Sequence, residues 1–220
     1  SRHMRSQPKG IAAAFPRPAS THTGLAMDEG YIKYVQHWEK APIVSNKAST
    51  TLVAARQTLF QLGGIGVYPN GIGYGNVSIR LPDNHFLITA SATGHLPFIG
   101  VDQLCEVTRV DITSNTLWCR GGMPASSESM THAAIYDASE HIQAVVHIHH
   151  PQLWKRLLYK APTVPATVQY GTPEMAQNLG ALVREANGQG ELLVTAGHED
   201  GIFSFGDDMQ EALTLIQNSL

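Results

Sequence analysis

The order of the secondary-structure elements predicted from this sequence constrains its fold more than any other feature. In the first half, strands come in pairs: residues 76–81 and 85–91 are joined by Pro-Asp-Asn, and residues 105–112 and 116–120 by Thr-Ser-Asn. In the second half, predicted helices separate the strands. Strands joined by short turns are antiparallel, whereas parallel neighbours need longer crossovers. The pattern therefore predicts an α/β layered domain with a mixed, largely antiparallel sheet.

Capping residues delimit the predicted helices. The first helix is predicted over residues 52–62, with Ser49 or Thr50 as its N-cap and Gly63 as its stop. No G-x-G-x-x-G motif opens a helix after a strand, so the sequence does not predict a dinucleotide-binding fold. Later helices are predicted over residues 151–159, 173–186 and 208–217.

Two histidines alternate with apolar residues in the segment AVVHIH. Because strand side chains alternate between two faces, His147 and His149 point to the same face, while His150 points away and is interpreted as structural. A third histidine, His198, ends the apolar segment ELLVTAGH. A pair of strand histidines is more often structural than a metal site, and the third histidine favours the metal. Three imidazoles can hold a divalent cation that keeps an open coordination position.

Glu128 is the candidate acid–base residue. It is predicted in the first turn of a helix that ends near residue 138, where the helix dipole alone would favour a carboxylate. Beside a bound cation, the same carboxylate can ligate the ion at rest and transfer a proton once substrate displaces it. His132, four residues further on, shares the helix face and is interpreted as a packed helix histidine.

A second group of residues is suited to binding an anion. Ser126 and Ser127 provide hydroxyls at a predicted helix N-terminus, where backbone N–H groups are free, and N-capping explains only one of them. Thr93 and Gly94 end a strand in the segment ATG, and Asn76 follows a run of glycines. Each of these residues also has an ordinary structural interpretation as a cap or turn residue. Hydroxyls and amides bind carboxylates as well as phosphates, so the kind of anion stays open.

Three arginines are candidate anion partners, although a solvated surface charge is the simpler interpretation of each. They are Arg80, Arg120 and Arg156.

Composition excludes several classes of protein. Hydrophobic residues make up 43% of the 220 residues and charged residues 15%, which is typical of a globular chain. The net charge of −3 and the lack of a dense run of Lys or Arg argue against a nucleic-acid partner. No apolar run approaches the roughly 18 residues that span a bilayer, so we expect no membrane partner. Cys105 and Cys119 flank a predicted hairpin and are expected to be free thiols in the cytoplasm.

The N-terminal segment differs from the rest of the chain. Residues 1–26 are rich in Pro, Ala, Ser and basic residues, and they lack the apolar core of a signal peptide. Their first four letters, SRHM, are typical of a vector-derived sequence. We therefore expect residues 1–26 to be a tag-like or flexible segment and residues 27–220 to form a single domain.

Five segments in order, GNVSIR, FLITASATG, PASSE, AVVHIHHP and GHEDGIFSFG, resemble the class II aldolase/adducin family, which includes L-fuculose-phosphate aldolase and L-ribulose-phosphate 4-epimerase. The resemblance covers roughly residues 51–216 and implies a three-layer α/β/α sandwich that assembles as a homotetramer. It implies a divalent metal, most often Zn²⁺, on His147, His149 and His198, with Glu128 as the acid–base residue. In the sugar-phosphate members, the substrate phosphate is held at the positions of Asn76, Thr93, Gly94, Ser126 and Ser127.

The resemblance makes a metal-dependent aldolase or related lyase the expected function. The cation would polarise a carbonyl of a small hydroxy-carbonyl substrate, which can be a sugar phosphate, and stabilise the enediolate left when a C–C bond breaks. Three nitrogen ligands suit Zn²⁺, although Mn, Co, Ni or Fe can occupy the same site. The family's aldolases also use a tyrosine from the interval between the second and third metal histidines. Here that interval holds Tyr159, interpreted as a core residue, and Tyr170, interpreted as a non-catalytic aromatic.

Two alternatives to the aldolase stay open. One is a metal-dependent decarboxylase or dehydratase of the same family. The other is a non-catalytic, adducin-like interaction module, and the complete histidine triad argues against it, because a binding module does not need three imidazoles that face one point.

Overall fold

A mixed sheet lies at the centre of the protein, whose computed structural model describes residues 32–169 and 171–220. The strands in this part of the chain are β1 (Val35–Lys40), β2 (Gly66–Val67), β3 (Gly73–Tyr74), β4 (Asn76–Arg80), β5 (Phe86–Thr89), β6 (Leu104–Asp111), β7 (Thr116–Gly121), β8 (Ala144–His149), β9 (Thr163–Val164), β10 (Glu191–Thr195) and β11 (Gly201–Gly206). The helices are α1 (Lys47–Gln61), α2 (Ser129–Ala138), α3 (Pro151–Leu157), α4 (Pro173–Glu185) and α5 (Met209–Gln217).

Nine of the described strands form the central sheet, in the order β1-β7-β6-β5-β4-β8-β11-β10-β9. The two outermost pairs, β1 with β7 and β9 with β10, are parallel. The other neighbours are antiparallel, including the two predicted hairpins β4–β5 and β6–β7. The prediction of a mixed, largely antiparallel sheet is confirmed. Strands β2 and β3 form a separate two-stranded ribbon just before β4.

Helices cover both faces of the sheet and bury their apolar sides against it. On one face, Ile135 of α2 and Leu179 of α4 pack with strand residues in one buried cluster. On the other face, Leu52 of α1, Leu153 of α3 and Ala212 of α5 pack in a second cluster. Two apolar clusters separated by one sheet make the fold a three-layer α/β/α sandwich, as predicted.

Strand β8 lies near the middle of the sheet and is buried along its whole length. Val145 packs in the cluster on the α2 and α4 face, whereas Val146 and Ile148 pack in the cluster on the opposite face. His147 lies on the same side as Val145, since its ring stacks on Phe203 of that cluster with 4.2 Å between centroids. The alternation predicted from the sequence is therefore present, and it directs the strand's histidines toward α2.

Helix α1 begins earlier than predicted. Its first residue is Lys47, because Asn46 is the N-cap rather than Ser49 or Thr50. The Asn46 side chain accepts the Ser49 amide at 3.0 Å, and Ser49 Oγ accepts the Asn46 amide at 2.8 Å. This reciprocal pair is a capping box, so Ser49 stabilises the helix start from its third position. The predicted stop is confirmed, with Gly63 at a φ of 81°.

Strand β1 is absent from the sequence prediction. Its side chains are mostly exposed, with Gln36 buried and Trp38 partly buried, so it lacks the apolar alternation that predicts a strand. It joins the sheet through parallel pairing with β7, about 80 residues later in the chain. The buried Gln36 side chain accepts the Ala125 amide at 3.0 Å and so links this edge of the sheet to the segment that precedes α2.

Three expectations drawn from composition can be set against the structure. Cys105 and Cys119 are free thiols, as expected, and both are buried. None of the helices in residues 32–169 and 171–220 has the length and apolar content needed to cross a membrane. The predictions for residues 1–26 lie outside the described residues.

Two glycines in the segment before β4 differ in how closely other backbone atoms pack around them. Gly75 has a φ of 85°, and a Cβ there would lie 2.6 Å from Gly64 O and 2.9 Å from Ile65 Cα. Gly71 has a similar φ of 89° but no atom within 4 Å of such a Cβ. We therefore expect Gly75→Ala to lower the free energy of unfolding by ~3 kcal/mol and Gly71→Ala by only ~1 kcal/mol, as measured by urea denaturation. An equal decrease in the free energy of unfolding for the two variants would show that the backbone around Gly75 is not tightly packed.

Candidate metal centre and anion site

Three histidines from distant parts of the chain converge in the structure. One ring nitrogen from each of His147, His149 and His198 lies within 4.8 Å of the other two, and all three side chains are buried. Strand β11 explains the convergence because it pairs with both β8 and β10, and Gly201 at its start lies opposite His149. Thr195 Oγ1 lies within hydrogen-bonding distance of both His198 O and Gly201 O, which fixes the turn carrying the third histidine.

His147 has the environment of a metal ligand. Its Nδ1 donates to the Ile202 carbonyl at 3.2 Å, while its Nε2 is buried and has no hydrogen-bond partner among the described residues. Burial lowers the pKa of His147 well below its ordinary value, and the neighbouring His198 and His132 lower it further. The ring is therefore neutral at physiological pH, and Nε2 has a free lone pair. Metal-binding histidines commonly donate their second N–H to a backbone carbonyl in this way.

His149 is enclosed by two tyrosines that the sequence analysis does not single out. Tyr68 Oη lies 2.5 Å from His149 Nδ1, and the Tyr74 ring stacks on the imidazole with 5.3 Å between centroids. Burial lowers the pKa of His149 well below its ordinary value, and His198 and His147 lower it further. Both tyrosines come from the glycine-rich segment before β4. Their position beside a predicted anion-binding asparagine is the sequence signal that could have identified them.

Glu128 brings a carboxylate to the histidines. It occupies the N-cap position of α2 rather than the first turn, and its side chain makes no capping hydrogen bond. Its Oε2 lies 3.5 Å from His147 Nε2 and 3.7 Å from His198 Nδ1, and the residue is only 2% exposed. Ser126 Oγ accepts the Glu128 amide at 3.1 Å in the turn before the helix, and the prediction that Ser126 or Ser127 is the N-cap is wrong.

This donor set fits a divalent cation. Three imidazole nitrogens lie within one coordination sphere of each other, and a carboxylate lies at their edge. The buried lone pair of His147 Nε2 would otherwise be left without compensation, which costs free energy. His150 lies outside this set and accepts the Leu153 amide at 3.0 Å as the N-cap of α3. Its interpretation as a structural residue is therefore confirmed.

The predicted anion-binding residues lie on three segments. An antiparallel β-bridge joins Ala90 to Ala125, so the two strands of chain run in opposite directions beyond it. Ser126 and Ser127 follow Ala125 and lead into Glu128, whereas Thr93 and Gly94 follow Ala90 and pack against the β2–β3 ribbon. Asn76, the fifth predicted residue, lies on β4 directly opposite His147 of β8. Asn76 therefore borders the histidine cluster, Ser126 and Ser127 directly precede Glu128, and Thr93 and Gly94 pack on the ribbon whose Tyr74 ring stacks on His149.

A buried hydrogen-bond chain holds Asn76. His132 Nε2 lies 2.6 Å from Asn76 Oδ1, and His132 Nδ1 lies 2.7 Å from Ser78 Oγ, which in turn lies 2.7 Å from Tyr136 Oη. Burial lowers the pKa of His132 to about 3, so the ring is neutral. With Nε2–H donating to Asn76 Oδ1, the amide N–H groups of Asn76 are free to point elsewhere. His132 is thus a packed helix histidine, as interpreted from the sequence, with the added effect of orienting Asn76.

Arg80, whose guanidinium lies over the Tyr136 ring, uses its N–H groups to bond backbone carbonyls. Arg80 Nε donates to Ile142 O at 2.6 Å, and its Nη2 donates to Tyr136 O at 2.7 Å and to Ser139 O at 2.8 Å. The simpler interpretation of Arg80 as a solvated surface charge is therefore wrong, and its donors hold β4 to the end of α2 rather than an anion.

Residues 68–218 match the profile of the family described as "Class II Aldolase and Adducin N-terminal domain". The chain belongs to the class II aldolase/adducin family. Its fold agrees with a solved structure of L-fuculose 1-phosphate aldolase, with a TM-score of 0.57 and 18% identity over 80% of this chain and 82% of that one.

Two curated relatives of the class II aldolase/adducin family carry other activities in their names. A 3-oxo-tetronate 4-phosphate decarboxylase from Haemophilus influenzae is 33% identical over 102 residues, 45% of either chain. A methylthioribulose-1-phosphate dehydratase from Gluconacetobacter diazotrophicus is 36% identical over 77 residues, 34% of either chain. The matched part therefore spans less than half the length of each curated relative.

The tyrosine used by the family's aldolases is not found at this site among the described residues. Tyr159 is 69% exposed in the turn after α3, so its interpretation as a core residue is wrong. Tyr170 lies outside the described residues. Within the described part of the interval between His149 and His198, no tyrosine side chain is buried near the histidines.

The ligand role of the cluster is tested by a matched pair of histidine variants. We expect His147→Gln to reduce the bound metal, measured by elemental analysis after zinc reloading, to less than about a tenth of an equivalent per chain. His150→Gln should keep the wild-type metal content, because that ring only caps α3, and should cost ~1 kcal/mol of stability. Full metal content in the His147 variant would remove this residue from the ligand set.

The neutral state of His132 predicts a pH effect on stability. Its pKa is about 3 in the folded protein and near 6.5 in an unfolded chain, so unfolding takes up a proton between these values. Stability is therefore present above pH 6.5 and is lost as pH falls toward 3. We expect His132→Gln to reduce this slope by up to ~1.4 kcal/mol per pH unit in urea denaturation, whereas the exposed His141→Gln should leave it unchanged. An unchanged slope in His132→Gln would show that the ring is charged in the folded state.

Proposed function

We propose that this chain is a metal-dependent lyase that cleaves or forms a carbon–carbon bond in a small hydroxy-carbonyl compound, with sugar phosphates as the expected substrate class. The observation that carries the proposal is the buried carboxylate of Glu128, 3.5 Å from His147 Nε2 and 3.7 Å from His198 Nδ1. A carboxylate next to three imidazoles is the minimum set for a cation-assisted proton transfer.

His147, His149 and His198 would hold the cation, and Zn²⁺ is the expected ion because it favours nitrogen ligands in a compact set. When bound, such a cation polarises a carbonyl and stabilises the negative charge that develops on its oxygen. Burial keeps His147 and His149 neutral, which is the form that binds a metal. The hydrogen bonds of His147 to Ile202 O and of His149 to Tyr68 Oη keep both rings in place.

Glu128 would move the proton. Its position at the N-terminus of α2 fixes the backbone, since the Ser126 hydroxyl accepts the Glu128 amide and the Ser126 carbonyl accepts the Ser129 amide. Its carboxylate is 2% exposed, so solvent does not compete for the proton. In the proposed reaction, Glu128 takes a proton from the substrate in one direction. In the other direction, it gives a proton to the carbon atom whose C–C bond has been cleaved.

The anionic group of the substrate would bind beside this centre, at Asn76, Thr93, Gly94, Ser126 and Ser127. These residues offer amide and hydroxyl donors without charge, and the hydrogen bond from His132 leaves the Asn76 amide N–H groups available. Both curated relatives are named for phosphate-bearing substrates, which supports a phosphate as the anion. Assembly as a homotetramer is part of the same proposal and rests on the family resemblance.

Decarboxylation is the second candidate, and two observations favour it. A relative that is 33% identical over 102 residues is named a decarboxylase of a 3-oxo acid phosphate. In addition, Tyr159 is exposed and the described residues supply no second acid from that interval. Loss of carbon dioxide needs one proton, delivered to the carbon left behind, so Glu128 alone would suffice. A dehydratase would break a C–O bond instead, as the name of the second relative suggests.

A product assay on the zinc-loaded protein tests the proposal. The substrates are ketose phosphates and 3-oxo acid phosphates, and the products measured are dihydroxyacetone phosphate and carbon dioxide. We expect release of one of these products by the wild type and a loss of at least about 100-fold in Glu128→Gln, with metal content unchanged. Glu199→Gln, an exposed carboxylate next to His198, should retain wild-type turnover. Full activity in Glu128→Gln would remove Glu128 from the mechanism, and lack of turnover with every substrate would reject the lyase.

A further inference from the structure

Arg56 carries a buried positive charge that no acidic side chain of the described residues neutralises. It projects from α1 and is 1% exposed. Its Nη2 donates to the Thr93 carbonyl at 2.9 Å, and its guanidinium carbon lies 4.7 Å from the centre of the Phe60 ring. Its Nη1 is buried and has no hydrogen-bond partner in the described part of the chain. Burial lowers the pKa of Arg56 to about 10, so the group is still charged at neutral pH.

An uncompensated buried charge is unfavourable. Removing a guanidinium from water costs several kcal/mol unless a counter-ion and a full set of hydrogen bonds replace the solvent. Here the replacement is one carbonyl and one aromatic face. A leucine or methionine at this position of α1 would pack without that cost, because its neighbours on the same helix face, Leu52, Ala55 and Leu59, belong to a buried apolar cluster. A bound anion close to Arg56 would offset this cost.

The bond to Thr93 connects Arg56 with the predicted anion-binding turn. In a trans peptide, the carbonyl and the following N–H point in opposite directions, and the described chain has no cis peptide. With Arg56 on the carbonyl side of the Thr93–Gly94 peptide, the Gly94 N–H points to the other side. That N–H has no hydrogen-bond partner among the described residues. A positive charge on the carbonyl oxygen also makes the opposite N–H a stronger donor.

The turn itself is held in a strained shape. Ala92 adopts a φ of 56°, a left-handed conformation that is unfavourable for a residue with a Cβ. On the far side, a Cβ at Gly94 would lie 2.2 Å from Gly66 O, so the backbone of β2 packs directly against the turn. Arg56 and β2 therefore fix the Thr93–Gly94 peptide from two directions, which is the behaviour of a preorganised binding loop rather than a free turn.

We infer that Arg56 is a positioning residue of the anion site: it holds the Thr93–Gly94 peptide with the Gly94 N–H toward the bound group, and it supplies the positive charge that a phosphate monoester requires. This rests on the anion site of the proposed function. The five residues assigned to that site are uncharged, and Glu128 beside them is acidic. Because Arg56 bonds the Thr93 carbonyl, its charge would lie one peptide unit away from a phosphate dianion held by the Gly94 N–H.

Phosphate binding by the zinc-loaded 220-residue protein tests this inference. Isothermal titration with inorganic phosphate is compared for wild type, Arg56→Met and Arg56→Lys, with the exposed Arg109→Met as the matched control. We expect Arg56→Met to bind phosphate at least about tenfold more weakly, Arg56→Lys to lie between it and the wild type, and Arg109→Met to match the wild type. Without phosphate, Arg56→Met should melt at the same temperature as the wild type or higher, because it removes an uncompensated charge.

Several outcomes would overturn the inference. Equal phosphate affinity in the wild type and Arg56→Met would show that the charge does not act on the anion. A smaller oligomer for Arg56→Met with unchanged phosphate affinity would assign Arg56 to a contact between subunits. Lack of phosphate binding in wild type would reject it while leaving the lyase proposal to the Glu128→Gln assay. If Arg56→Met does not fold, Arg56→Gln against Arg56→Lys makes the same comparison of neutral and charged side chains.

Discussion

The pairing of β11 with both β8 and β10 is the constraint on which the candidate site depends. That pairing sets the turn of His198 beside the end of β8, at the point where His149 lies opposite Gly201. Without it, two strand histidines would face a helix with no third nitrogen in reach. The antiparallel neighbours of β8 also bring Asn76 next to His147, so one strand organises both the imidazoles and the edge of the anion site.

Burial of polar rings at the middle of a sheet imposes its own requirements. Each ring must be neutral, and each nitrogen needs a partner. His147 and His132 meet the first requirement through lowered pKa values. They meet the second differently: His147 bonds one backbone carbonyl and keeps Nε2 for the cluster, whereas His132 uses both nitrogens inside the protein. This difference separates a candidate ligand from a positioning residue, although both histidines are fully buried. His147 lies 3.5 Å from the Glu128 carboxylate, and His132 lies one helical turn after Glu128.

Local sequence patterns predicted the parts of the site that lie on regular elements. The two-residue alternation around His147 fixed its face, because a strand leaves no other choice. Arg56 and Tyr68 were missed because their roles depend on contacts with distant segments. A signal for Arg56 was nevertheless present, since it occupies an apolar position of α1 at the spacing of Leu52, Ala55 and Leu59. Strand β1 had no comparable signal, because its exposed residues join the sheet only through pairing with β7.

The charges around the site imply an orientation for the substrate. At one end, a carboxylate and three imidazoles form a region that favours a cation and the substrate oxygens it would bind. At the other end, Arg56 lies behind a turn that presents a backbone N–H, a region that favours an anion. Asn76 lies opposite His147 on the neighbouring strand, with its amide fixed by His132. A short molecule with a carbonyl at one end and a phosphate at the other fits this arrangement in one direction only, because reversing it would place the phosphate against Glu128 and leave Arg56 uncompensated.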